Sequence, residues 1–317
     1  MDPADPLIDP ELQTRPHPPA EAARTTVVVI TRDRCDELLR TLAHLEALPD
    51  PAPVIVVDNG STDGTVTAVR DRHPRTQLVA GPDNLGAVGR NVAVARVRTP
   101  YVTFCDDDTR PQPGALSRAA DVLDAHPGVA SVTGRCLVEP GLAEDPITPE
   151  MRHSPVPAPD DLPGPALLGI MAGLTTIRTA AFRAAGGFHP RLWIGGEEEL
   201  LALDLAAAGW WMCWCEDVVV HHAPSTLRDP RARRRLGIRN TLWTVWLRRP
   251  VRSALRRTGA VLRSAPADRA TVGAVLAALA GLGWVLRERR VVPPAVEHGL
   301  WLLEEPQRTS IARRYVG

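Results

Sequence analysis

Two runs of β-branched residues enclose a segment with helical spacing, and this pattern constrains the fold most strongly. The runs Thr25–Thr31 and Val54–Asp58 are rich in valine and isoleucine, as is typical of parallel strands buried on both faces. Between them, leucines recur at helical spacing over Asp36–Leu48. A strand, helix and strand in this order predict a βαβ unit and therefore a parallel sheet.

The same alternation continues along the chain. Further strands are predicted at Leu78–Ala80, from Tyr101 onward and at Trp210–Val220, with helices at Ala87–Val97, Ala180–Gly187 and Glu197–Ala208. The Pro-rich stretch Glu139–Pro165 reads as a long loop that covers a site. We therefore predict an α/β protein with an open mixed sheet flanked by helices, whose ligands bind beyond the carboxyl ends of the strands.

Composition divides the chain into three regions. Residues 1–24 carry six prolines and predict a disordered tail, residues 25–225 hold the α/β core, and residues 226–317 predict a basic, mostly helical C-terminal extension. From Arg228 to Arg263 there are twelve arginines and one acid. The apolar run Thr271–Leu286 is shorter than the roughly 20 residues that span a bilayer, so we expect a packed helix there.

Charge and cysteine content limit the classes of partner and compartment. The 37 acidic and 37 basic residues balance, so no global field recruits nucleic acid. The five cysteines have no disulfide-framework spacing and no secretory segment opens the chain, which predicts a cytoplasmic protein. The basic extension leaves three interpretations open: a solvated helix face, an element that closes over the diphosphate, or peripheral contact with the inner face of a membrane.

The run from Tyr101 to Thr109 delivers three consecutive carboxylates, Asp106, Asp107 and Asp108, into a loop. Crowded carboxylates repel one another, and a divalent cation such as Mg²⁺ or Mn²⁺ that also binds diphosphate would neutralise them. A solvated acidic turn is the alternative. A phosphatase of the haloacid-dehalogenase type is disfavoured, because its Asp-x-Asp-x-Thr motif would place threonine where Arg110 stands.

Further candidate residues follow other predicted strands. Asp58 ends the second strand, where it either binds a ribose or base or acts as a turn acid. The segment Asp83–Asn91, which contains Asn84, combines glycines with Arg90 and suits a phosphate. His221, in a His-His pair at the end of the last core strand, completes a metal shell or is structural.

Glutamates 197–199 follow two glycines at a predicted helix start. Acids are stabilised at that end by the helix dipole, which explains them without any catalytic role. The functional interpretation is a general base that removes a proton from an acceptor hydroxyl. Glu198 is the first choice and Glu197 the second.

Taken together, these residues resemble the inverting family 2 glycosyltransferases of bacteria, which have the GT-A fold. The matching elements lie between Thr25 and Ser225 and are, in order, Val27–Thr31, Val56–Thr65, Asn84–Gly86, Arg90–Asn91, Phe104–Asp108 and Gly186–Phe188. Each element is common by itself, whereas the ordered set is specific.

The resemblance implies a nucleoside-diphosphate-sugar donor (UDP-, dTDP- or GDP-linked), a divalent metal and inversion at the anomeric carbon. It implies that Thr31 and Asp58 contact the nucleoside, that Asp106 lies near the ribose and that Asp108 binds the metal. Asp106 and His221 are the further candidate metal ligands. The family's Glu-Asp base motif corresponds to Glu197–Glu198, with Glu in place of Asp, and the longer side chain leaves Glu197, Glu198 and Glu199 as candidates for the base. On the donor side the expected residues are Thr31, Asp58, Asn84, Arg90, Asp106 and Asp107.

Two other functions compete with this interpretation. A nucleotidyltransferase would carry a Gly-rich phosphate loop after its first strand, and Thr31–Cys35 contains no glycine. A non-catalytic relative would use the basic extension to dock on a partner or membrane. The intact acids Asp106, Asp108 and Glu198 argue against it.

Overall fold

A computed structural model describes residues 23–224 and 230–310. The predicted disorder of residues 1–24 lies outside these ranges, except for Ala23 and Arg24. The strands are β1 (Thr25–Thr31), β2 (Val54–Asn59), β3 (Gln77–Gly81), β4 (Tyr101–Asp106), β5 (Thr109–Pro111), β6 (Val129–Val138), β7 (Ala143–Glu144), β8 (Thr175–Arg178) and β9 (Trp211–His222).

Helices cover the sheet and continue beyond it. In the core these are α1 (Cys35–Glu46), α2 (Thr65–Arg72), α3 (Val88–Val94), α4 (Ala115–Ala125), α5 (Ile147–Arg152), α6 (Thr179–Ala184) and α7 (Glu197–Ala207). The C-terminal extension contains α8 (Pro230–Arg248), α9 (Val251–Ser264), α10 (Arg269–Ala280), α11 (Leu282–Arg287) and α12 (Pro294–Thr309).

The strands form one nine-stranded mixed sheet in the order β3-β2-β1-β4-β8-β6-β9-β5, with β7 paired to β6. Strands β1 to β4 are parallel, whereas β8 runs antiparallel to β4 and β6. The register pairs Thr31 with Asp58 and Ile30 with Asp106. The predicted open mixed sheet is therefore confirmed, and the carboxyl ends of β1, β2 and β4 meet at one edge.

Both faces of the sheet are buried, as the β-branched runs predict. Leucines 38, 42 and 45 of α1 pack with the valines of β1 and β2 on one face. On the other face, the three phenylalanines of the chain form a cluster, with ring centroids 5.3–5.6 Å apart. These rings are Phe104 of β4, Phe182 of α6 and Phe188 in the following loop.

Two regions differ from the sequence-based expectation. Glu139–Pro165 is not a free loop, because β7 pairs with β6 and α5 follows it; Glu144 of β7 also binds Arg152 of α5. The apolar run Thr271–Leu286 forms two helices instead of one. The break falls at Gly281, where Trp243 of α8 packs against the backbone and donates its indole N–H to the carbonyl of Ala278 (2.9 Å).

The extension shares a hydrophobic core with the sheet domain. Leu200 of α7 packs with Ile238, Leu242 and Leu247 of α8, and Trp284 of α11 belongs to the same cluster. Most apolar residues of the basic segment Arg228–Arg263 that lie on α8 therefore face the protein.

Candidate active site

The acidic loop after β4 is held by side chains from the neighbouring β1 segment. Asp107 accepts hydrogen bonds from the hydroxyl of Thr31 (3.0 Å) and from the guanidinium of Arg34 (2.7 Å), and its backbone carbonyl accepts one from Thr41 (2.7 Å). Burial raises the pKa of Asp107 to about 6, although Arg34 opposes this shift. Asp107 therefore anchors the loop, and Arg34 is a site residue that sequence reasoning missed.

Asp106 and Asp108 flank this anchor and have different surroundings. Asp106 is partly exposed, and it pairs with the buried guanidinium of Arg90 at 2.5 Å. Asp108 is buried, with Arg34 3.3 Å and His222 3.7 Å from its carboxylate oxygens. Arg90, expected as a phosphate donor, thus neutralises Asp106 in this structure.

The histidine beside Asp108 is His222, not the predicted His221. The ring of His221 contacts Gln112 (2.7 Å) and Glu139 (3.3 Å) instead. Successive residues of a strand point to opposite faces, so a shift of one position exchanges the neighbours of the two rings. The position of His222 on β9, adjacent to β5, could have been found only by knowing the strand register.

Asp108 and His222 offer a carboxylate and an imidazole whose atoms lie 3.7 Å apart. Both are ligand types that Mg²⁺ or Mn²⁺ accepts. Within the described residues, one group of three possible ligands lies within 4.8 Å, namely Cys136, Asp145 and His222. A thiol is a soft ligand, whereas Mg²⁺ and Mn²⁺ prefer carboxylate oxygens, so Cys136 is a poor ligand for these ions.

A second cluster lies at the ends of β2 and β3. The buried carboxylate of Asp58 accepts a hydrogen bond from the backbone N–H of Ser61 (2.9 Å), and its Oδ1 atom has no partner among the described residues. The amide oxygen of Asn84 accepts from the N–H of Gly86 (2.9 Å) and shapes the following loop. The indole of Trp193 donates to the carbonyl of Asn84 (3.0 Å).

The two candidate bases differ in accessibility. Glu197 is buried, whereas Glu198 as a residue keeps some contact with solvent and accepts a hydrogen bond from the backbone N–H of Ala172. Its carboxyl group is enclosed by protein, and this desolvation, reinforced by the carboxylate of Glu197, raises the pKa of Glu198 to about 8. A Cβ placed on Gly173 would lie 3.1 Å from Asp106, so the short 3-10 turn Ala172–Leu174 links the base to the acidic loop.

The loop before these glutamates is fixed by the C-terminal extension. The side-chain amide nitrogen of Asn240, on α8, lies 2.8 Å from the carbonyl oxygen of Leu192, 3.1 Å from that of Ile194 and 2.6 Å from that of Gly195. Asn240 is fully buried. No local sequence signal marks it, because its partners are more than forty positions earlier in the chain.

This arrangement of fold and site defines a glycosyltransferase of the GT-A class. Residues 26–184 match the family model described as glycosyl transferase family 2, and the chain belongs to this family. The protein is therefore an enzyme that transfers a glycosyl group, and the nucleotidyltransferase alternative is set aside.

Curated relatives agree with this class. An N-acetylglucosaminyl-diphospho-decaprenol L-rhamnosyltransferase of Mycobacterium tuberculosis is 27% identical, over 73% of this chain and 88% of the relative. A pre-mycofactocin glycosyltransferase of the same species is 31% identical, over 69% of this chain and 47% of the relative.

Solved structures share the fold. The mannosyltransferase PcManGT of Pyrobaculum calidifontis, in complex with GDP-Man and Mn²⁺, aligns with a TM-score of 0.56 at 21% identity, over 92% of this chain and 84% of that one. S. aureus TarS 1-349 in complex with UDP-GlcNAc aligns with a TM-score of 0.54 at 19% identity, over 70% and 65% of the two chains.

Replacing Asn240 with leucine should loosen the loop that precedes Glu197. The substitution removes the donor to three carbonyl oxygens and should lower the free energy of unfolding by about 1–3 kcal/mol, with faster hydrogen exchange in residues 191–198. Thr244→Val is the matched control, since Thr244 is buried on the same helix and its hydroxyl has no partner among the described residues. Equal effects of the two substitutions would contradict the assigned role of Asn240.

Proposed function

We propose that the protein is an inverting, metal-dependent glycosyltransferase that moves a sugar from a nucleoside-diphosphate-sugar to an acceptor hydroxyl. The proposal is carried by one observation. Glu198 accepts a hydrogen bond from the backbone N–H of Ala172, and the next residue, Gly173, lies beside the carboxylate of Asp106. This proximity supports a base and a diphosphate site that act on the same sugar.

The donor nucleoside is assigned to the edge formed by β1 and β2. Asp58 carries a buried carboxylate oxygen without a partner among the described residues, which suits a ribose hydroxyl or base N–H. Thr31 and Asn84 border the same edge, and Asp107 holds Thr31 in place. The fold neighbours bound to GDP-Man and UDP-GlcNAc support a nucleotide-sugar donor, UDP-, dTDP- or GDP-linked.

A divalent cation, Mg²⁺ or Mn²⁺, is assigned to Asp108 and Asp106, with His222 in the position first expected for His221. When bound, such an ion offsets the negative charge that develops on the leaving diphosphate. Arg34 offsets the charge of Asp107 and Asp108, while Arg90 offsets that of Asp106.

Glu198 is assigned as the general base and Glu197 as its buried neighbour. The acceptor oxygen forms a bond to the anomeric carbon while the bond from that carbon to the diphosphate oxygen breaks, and Glu198 takes the hydroxyl proton. A single displacement of this kind inverts the anomeric configuration. Glu198 must be ionised to act, so its raised pKa makes it a stronger base that operates above about pH 8.

The acceptor class is proposed from the relatives. The M. tuberculosis rhamnosyltransferase is named for a diphospho-decaprenol-linked substrate, which supports a lipid-linked acceptor here. An acceptor of this kind is consistent with a cytoplasmic enzyme in peripheral contact with the inner face of a membrane.

Asp108→Asn should weaken metal-dependent binding of nucleoside diphosphate by at least about tenfold, because it removes a charged ligand without changing the side-chain size. Calorimetric titration of a panel of nucleoside diphosphates with and without Mn²⁺ measures this directly. Asp71→Asn is the control, since Asp71 is exposed on α2. Unchanged affinity in the Asp108 variant would contradict the metal assignment.

Glu198→Gln should lower kcat by about 10²–10⁴-fold with little change in donor KM, because the amide cannot accept the proton. The rate of nucleoside diphosphate release gives both constants. Wild-type kcat/KM should also fall about tenfold per pH unit below pH 8, as Glu198 becomes protonated.

Glu199→Gln is the control, because it makes the same charge change on the same helix turn. A comparable loss in Glu197→Gln, with full turnover in Glu198→Gln, would move the base assignment to Glu197.

A further inference from the structure

A stripe of exposed apolar side chains runs along α10 and α11. Val272, Leu276, Leu279 and Leu286 are 58%, 61%, 60% and 56% exposed, respectively. The spacing of four and three residues places Val272, Leu276 and Leu279 on one side of α10. Leu286 lies on α11, which follows α10 directly after Gly281. We call these four residues the α10–α11 stripe; it is the outer side of the apolar run that sequence reasoning assigned to a packed helix.

Exposed arginines border the α10–α11 stripe. Arg269 lies at its beginning, and Arg287 and Arg290 lie at its end. The two nearest acids have other partners, because Asp268 pairs with Arg234 and Glu288 with His189. An apolar surface bordered by arginines matches a bilayer that presents anionic headgroups above hydrocarbon.

Positive charge is also concentrated in the extension as a whole. Residues 230–310 contain 16 arginines and five acids, although the complete chain has no net charge. In a two-fold symmetric dimer the same surface of a second copy would face the α10–α11 stripe, and like charges across that interface would oppose association. Among the described helices, none has the length and apolarity to cross a bilayer.

Helix α8 connects the α10–α11 stripe to the loop that precedes the candidate base. Helix α10 packs on α8 through the Arg234–Asp268 ion pair and the hydrogen bond from Trp243 to Ala278. Asn240 of the same α8 helix binds the loop before the candidate base. Any surface that binds α10 would therefore lie at a fixed position relative to the loop before Glu197.

We propose that the α10–α11 stripe docks on an anionic lipid membrane. The four apolar side chains enter the interfacial region and the bordering arginines contact anionic headgroups. This inference deepens the acceptor assignment of the proposed function. It is tested without donor or metal, so its failure and the failure of the transferase chemistry are distinguishable.

The test is co-sedimentation of the full chain with vesicles of phosphatidylcholine alone or of phosphatidylcholine with phosphatidylglycerol. Binding should require phosphatidylglycerol and should weaken between about 0.1 M and about 1 M salt, where the Debye length falls from about 10 Å to about 3 Å. Leu276→Glu should reduce the partition coefficient by about tenfold or more, because it places a charge in the centre of the stripe.

Leu142→Glu is the matched control, since Leu142 is 51% exposed but lies outside the extension. It should bind like the wild type, and both variants should keep the wild-type melting temperature. Absence of vesicle binding, or equal loss in both variants, would overturn the proposal. A dimer that forms without lipid and is abolished by Leu276→Glu would instead identify a second copy of the chain as the occupant.

Discussion

The three consecutive carboxylates 106–108 coexist in one loop because each lies beside a cationic or potentially cationic side chain. Arg34 follows β1, Arg90 lies on α3 and His222 ends β9, so three separate parts of the fold must be correctly placed before the loop is neutralised. Like charges at this distance otherwise raise one another's pKa and favour protonation. Because the carboxylates need these cationic neighbours, the arrangement of the strands determines whether the acidic loop can form at their carboxyl ends.

The C-terminal extension serves the same site from outside the sheet. Its first helix contributes to a common core with α7 and supplies Asn240 to the loop that leads into the glutamates. Its outer helices carry apolar and basic residues toward solvent. The glycosyltransferase core and the extension are therefore in direct contact, and α8 lies between the loop before the glutamates and the proposed membrane-binding helices.

Features that depend on local sequence could be predicted, and features that depend on register could not. The β-branched runs identified β1 and β2, and the end of β4 identified the acidic loop. To predict that His222 and not His221 lies beside Asp108, one would need to know which face of β9 meets Asp108. Asn240 and the exposure of Leu276 are set by how α8 and α10 pack, which an apolar helical pattern leaves undetermined.

The most direct test of the central claim is a crystal structure with Mn²⁺ and the nucleoside diphosphate that binds best, with data collected at the manganese absorption edge. The claim predicts an anomalous peak at Asp108, with His222 or Asp106 and the diphosphate as further ligands, at the roughly 2.0–2.2 Å typical of such small divalent ions. A peak at the Cys136–Asp145 pair without Asp108, or nucleotide bound with no metal beside the acidic loop, would contradict it.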